Sequence, residues 1–215
     1  MEPGLRRLYI FGAGGSGREI AWLAGQVLGD AVPIAFIVDD LAYVTAPVNG
    51  ISVQLVSDVA VQEGDRFVVA VGDAGLRRKA SVACIGVGLQ PATLVHPRVE
   101  MSRFVSLGTG SVLCAGSILT TNIALGEHVH VNVDCTISHD VRIGDFSTLS
   151  PGVHVSGHVH IGKDVLIGTG ANIINGSATS PLVIEDGAKI AAGACVTSSV
   201  APGALMAGVP AVRKR

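Results

Sequence analysis

From about residue 93 onward the chain repeats every six residues, and few folds accept that period. Fourteen large aliphatic residues stand six apart from Val95 to Ile173, among them Leu113, Val131, Ile143 and Ile161. Four positions after each comes a small or β-branched residue or a cysteine, such as Ser111, Ser117, Cys135, Ser147 and Ala171. The period breaks at "NGSATSPL" and resumes one residue out of step at Ile184, Ile190 and Val196. A hexad repeat predicts a solenoid of short parallel strands, each repeat contacting its neighbours. Three hexads make one triangular coil of 18 residues, with coils about 4.8 Å apart. The large aliphatic points inward and the small residue fits a tight corner. "NGSATSPL" is expected to be a loop extruded from one corner.

Composition agrees with a narrow interior. Apolar residues make up 48% of the chain but aromatics only 4%, and there are 28 glycines. A net charge of -2 argues against a nucleic-acid binder. Cys84, Cys114, Cys135 and Cys195 show no CxxC spacing, which predicts a reduced, cytoplasmic protein. No apolar run reaches the length of a membrane span, so no membrane association is expected.

The first part follows a different grammar. "LYIF" is a short apolar run, followed by the glycine turn "GAGGSG" and a helical pattern. "PIAFIVDD" and "RFVVAVGD" read as further strands, and "AGLRRKASVACIG" as a second helix. Alternation of strands and helices predicts a small parallel sheet. Residues 1–92 form this α/β domain and residues 93–215 the solenoid. The glycine turn carries Gly12, Gly14 and Gly17 in the order G-x-G-x-x-G. Such a turn lets backbone N–H groups approach a phosphate, although a bare βα turn reads the same way. The domain is too small for both halves of NAD.

The solenoid turns residue spacing into geometry. His139, His154, His158 and His160 crowd one stretch, with His128 and His130 just upstream. Residues 18 apart stack on one face, yet no two histidines have that spacing. His139 stacks with Thr121 and Gly157, His158 with Asp140, His160 with Arg142 and His130 with Thr148. A metal needs three or four ligands around one point, so no metal cofactor is expected. His139 is followed by Asp140, and Gly157 leaves space beside it. On spacing alone it fits both a general base and a surface histidine at a corner.

The hexads, and the closing "MAGVPAVRKR", resemble the left-handed β-helix of the hexapeptide acyltransferases. "FGAGGSGRE", "IVDD", "AVGDAGLRRK" and "SHD" resemble one subgroup more closely. These are the nucleotide-sugar acetyltransferases related to bacillosamine and perosamine N-acetyltransferases and to sialic acid O-acetyltransferases. The resemblance implies a small Rossmann-like domain followed by a left-handed parallel β-helix. It implies His139 as general base, oriented by Asp140. It implies Gly14, Gly15 and Ser16 on the diphosphate of a nucleotide-linked sugar, Asp39 and Asp40 on base or ribose, and Gly72 in the same crevice. Family members commonly carry histidine where Ser16 stands here. The acetyl-CoA cosubstrate is assigned to Thr148, Gly157, Thr169 and Gly193; at Thr148 some members have a second histidine. A homotrimer with acetyl-CoA between chains is implied too. The expected reaction is N-acetylation of a nucleotide-linked 4-amino-4,6-dideoxysugar. Two other readings stand beside it, a sugar O-acetyltransferase and a non-catalytic sugar-nucleotide-binding β-helix.

Overall fold

The computed structural model describes residues 4–214. They form two compact units that divide between His96 and Pro97.

The first unit is built on a five-stranded sheet. Its elements are β1 (Arg7–Phe11), α1 (Gly15–Leu28), β2 (Ile34–Val38), β3 (Val53–Leu55), β4 (Asp65–Val69), α2 (Ala74–Gly86) and β5 (Gln90–Pro91). The order is β3-β2-β1-β4-β5, with every pair parallel. The expected strands and helices are present; the short β3 and β5 lacked an apolar run long enough to announce them. Continuous apolar runs make strands buried on both faces. Tyr9, Phe11, Ile37, Phe67 and Val69 pack with Ala80 and Cys84 of α2 on one face. Leu8, Ile10, Phe36 and Val68, the alternate positions, are equally buried. Phe36 meets α1 at Gly17, where an added Cβ would lie 3.4 Å from its ring and would collide with the Gly12 carbonyl. Gly17 thus permits close helix–strand packing, and Gly12, at φ 101°, permits the turn.

The second unit is the expected solenoid. Its two- and three-residue strands stack into three parallel sheets. Paired residues are 18 apart, as in Thr136 with His154 and His154 with Asn172. After "NGSATSPL" the offset becomes that between Asn172 and Cys195, so the break inserts five residues into one coil. The loop leaves at the corner between Asn172–Ile173 and Leu182–Ile184. The interior aliphatics from Leu113 to Ile173 are buried. Met101 keeps the spacing but is 46% exposed. Its strand is the edge of its sheet, so no coil lies on its far side. The tail adds an antiparallel pair, Leu205–Ala207 with Val212–Lys214.

A second six-residue series makes the corners. Asn122, His128, Asp134, Asp140, Phe146, His158 and Asp164 all have φ between 52° and 59°, and Gly110, Gly116, Gly152 and Gly170 fill the same register. This left-handed conformation favours Gly, Asn and Asp. Buried hydroxyls tie successive coils together. Ser147 Oγ donates to Gly162 O at 2.7 Å and accepts from Val165 N–H at 3.0 Å, and Ser111 does the same with Gly126 O and Val129 N–H.

Candidate active site

In the first unit, the carboxyl ends of β1, β2 and β4 open into a crevice of about 800 Å³. Gly14, Gly15, Ser16, Asp39 and Gly72 line it together. Open α/β sheets bind ligands at this end. The turn delivers Gly14 as the cap of α1, whose first N–H groups lack intrahelical partners. Asp40 is engaged elsewhere: its Oδ1 accepts the Ala42 N–H at 2.8 Å and caps a short helical turn. Arg77, fully buried, donates to Val71 O at 2.9 Å and Gly72 O at 3.3 Å, bracing the floor of the crevice. Tyr43 and Lys79 also line it, an exposed ring and a cation that the strand-end rule did not single out.

In the second unit, His139 and Asp140 occupy the corner that also carries the extruded loop. His139 Nδ1 lies 2.9 Å from Asp140 Oδ2. Asn122 Nδ2 donates to Asp140 Oδ1 at 3.3 Å. The hydrogen bond to His139, together with Asn122 and the charge of His158 and against some desolvation, holds the Asp140 carboxyl below the ordinary range. It is therefore ionised near neutral pH and fixes the ring through Nδ1, leaving Nε2 toward Gly157. An added Cβ on Gly157 would lie 2.5 Å from His139 Cε1 and 2.6 Å from Nε2, so only glycine leaves the ring its place. Among the described residues no backbone carbonyl takes the Gly157 N–H.

The corner holds a contact that the 18-residue arithmetic does not show. His158 is 19 residues beyond His139, yet its ring meets the His139 ring edge-on at 5.0 Å. Its Nε2 lies 3.8 Å from Asp140 Oδ2. Asn122, Asp140 and His158 are one column of left-handed corner residues, so the signal was the corner series. His154 and His160 lie on different sheets, as the spacing predicts. Asp140, Arg142, His158 and His160 border a cavity of about 400 Å³ with Ser177, Ala178 and Pro181 of the extruded loop. Burial, and the nearby charges of Arg142 and His158, lower the pKa of His160.

The residues assigned to acetyl-CoA do not share one groove within a chain. Gly157 is at the His139 corner. Thr169 and Gly193 stack at another, where Gly193 N–H donates to Thr169 O at 2.8 Å. Thr148 is buried on a sheet between His130 and Leu166.

No protein-family model matches the chain. The GDP-perosamine N-acetyltransferase of Escherichia coli O157:H7 is 33% identical over 184 residues, 83% of this chain and 82% of that protein. The structure of WeeI from Acinetobacter baumannii AYE has a TM-score of 0.91 and 31% identity, covering 97% of this chain and 100% of that one. PerB from Caulobacter crescentus, solved in complex with CoA and GDP-perosamine, has a TM-score of 0.82 and 26% identity, covering 97% of each chain. With that identity along most of its length, the chain belongs to the nucleotide-sugar N-acetyltransferase family of the GDP-perosamine enzyme.

Proposed function

We propose that the protein transfers the acetyl group of acetyl-CoA to the amino group of a nucleotide-linked 4-amino-4,6-dideoxysugar. The observation that carries this reading is the His139–Asp140 pair with Gly157 against the ring, in a chain of this family. The sugar amine, as free base, attacks the thioester carbonyl. As the C–N bond forms, His139 Nε2 accepts the amine proton. The oxyanion leans on a backbone N–H, for which that of Gly157 is the candidate. The C–S bond then breaks, and the leaving thiolate takes the proton from His139, giving amide and free thiol. Asp140 fixes the tautomer and offsets the imidazolium charge.

We read residues 1–92 as a Rossmann-like domain that holds the nucleotide. Gly14, Gly15 and Ser16 take the diphosphate, Asp39 and Tyr43 the nucleoside, and Gly72 lines the same crevice. Residues 93–215 are read as a left-handed β-helix that carries the chemistry. Thr148, Thr169 and Gly193 lie away from the His139 corner, so their role toward acetyl-CoA requires a neighbouring chain. This favours a homotrimer with the cosubstrate between chains. Among the described residues no disulfide links Cys84, Cys114, Cys135 or Cys195, which suits a reducing cytoplasm, and no helix is long and apolar enough to cross a membrane.

The test is a panel of GDP-, UDP- and dTDP-linked amino sugars with acetyl-CoA, following the acetylated product by mass. GDP-perosamine is the first acceptor to try, by analogy with PerB. Turnover of an amino sugar, and none of its 4-hydroxy counterpart, is the expected result. Acetylation of the hydroxy sugar alone would replace this reading with O-acetyl transfer.

A further inference from the structure

His139, Asp140 and His158 form a second kind of constellation around the candidate base. One ring nitrogen from each histidine and one carboxylate oxygen all lie within 4.8 Å of one another. Two of the separations are 2.9 Å, from His139 Nδ1 to Asp140 Oδ2, and 3.8 Å, from His158 Nε2 to the same oxygen. A tetrahedral ion with bonds of about 2.0–2.1 Å to nitrogen and oxygen holds its ligand atoms about 3.3 Å apart. The two measured separations bracket that value. The side chains are 53%, 39% and 28% exposed, so an ion reaches them from solvent and small χ rotations close the site. Two imidazoles and one carboxylate are the donor set of borderline ions such as Zn²⁺ and Co²⁺, not of Ca²⁺ or Mg²⁺.

We infer that His139, Asp140 and His158 form a binding site for a transition-metal ion, Zn²⁺ foremost, and that the ion is an inhibitor and not a cofactor. Its effect follows from which nitrogen it takes. A metal on His139 Nδ1 displaces the hydrogen bond to Asp140. The single proton of the neutral ring must then sit on Nε2. That nitrogen has no lone pair left to accept the amine proton, and the base is disabled. The binding half of the inference stands on geometry alone; the inhibition half rests on the reading of His139 as base.

Two measurements on the intact protein separate these halves. Titration with Co²⁺ should give the visible absorption of a tetrahedral N/O site, saturating at one ion per chain and displaced by Zn²⁺. His158→Asn should weaken that binding about tenfold or more; asparagine tolerates the left-handed corner, as Asn122 does in the same column. Turnover is followed by mass of the acetylated sugar, because the released CoA thiol itself binds zinc. Zn²⁺ should inhibit the wild type, and a chelator should restore it. His158→Asn, its turnover compared with and without the ion in the same variant, should escape inhibition at the same Zn²⁺ concentration. Unchanged Co²⁺ binding in His158→Asn, or none in the wild type, would overturn the site. Binding without inhibition would overturn the inhibitory role. Failure of the base reading is read separately, as full activity in His139→Asn without metal.

Discussion

Gly157 is the residue on which the placement of His139 depends. Its Cα occupies the space beside Nε2, and one added methyl would press on the ring. Gly157→Ala is expected to lower kcat by about 10²- to 10⁴-fold, the range for losing a positioned general base, with little change in melting temperature because the exposed His139 ring can swing outward to make room. Steady-state kinetics beside a thermal melt checks this; unchanged kcat would mean that the groove does not need the glycine. The protonation of Asp140 has a definite sign. Its carboxyl is held low by His139, so the stabilisation is present above the ordinary carboxylate pKa and is lost as pH falls through the lowered one. "SHD", the glycine stacked on it and the stacking of His158 on Asp140 were legible from spacing. The contact between the His158 and His139 rings was not, because column arithmetic follows residues 18 apart and ignores side chains that turn toward each other from adjacent columns at a corner.

At the scale of the element, the solenoid was readable because one short rule sets every coil. An inward aliphatic and a small or β-branched residue recur along the hexads, with a left-handed corner in every hexad from Gly110 to Gly170, and the break at "NGSATSPL" announced its own loop. The ends were less legible. Met101 keeps the pattern but sits on an edge strand, where the same residue type meets water. The small positions divide by chemistry. Where valine stands the contact is apolar, whereas Ser147 satisfies both Gly162 O and Val165 N–H. Ser147→Ala is expected to destabilise the solenoid by ~1–3 kcal/mol, the cost of leaving buried backbone groups unpaired. Denaturant unfolding measures it; a neutral substitution would show that the hydroxyl only fills space. In the first unit the crevice-forming glycines stood out in sequence. Asp40 could not be told from Asp39, since only the backbone path decides which carboxylate caps its own turn.

For the whole molecule, direct transfer from acetyl-CoA without an acyl-enzyme predicts quiet cysteines. Burial pushes the Cys84 thiol up to about 12 and that of Cys135 to about 11, and Cys135 Sγ donates to Ser150 O at 3.2 Å inside the coil. Alkylation of the native protein at mildly alkaline pH should label at most Cys114 and Cys195, and incubation with acetyl-CoA should leave no acetylated cysteine; peptide mass mapping reads both. Acetyl-Cys135 would contradict direct transfer. The dispersal of Gly157, Thr169 and Gly193 over two corners makes assembly part of the same account, and a trimer is the state expected in solution by light scattering. The central claim is that His139 takes the proton of the attacking amine. Its most direct measurement is the turnover of His139→Asn with acetyl-CoA and the amino-sugar nucleotide that the wild type accepts, alongside a melt that shows the fold intact. The predicted result is a fall in kcat of about 10²- to 10⁴-fold with binding of the nucleotide sugar retained; full turnover in that variant would contradict the account.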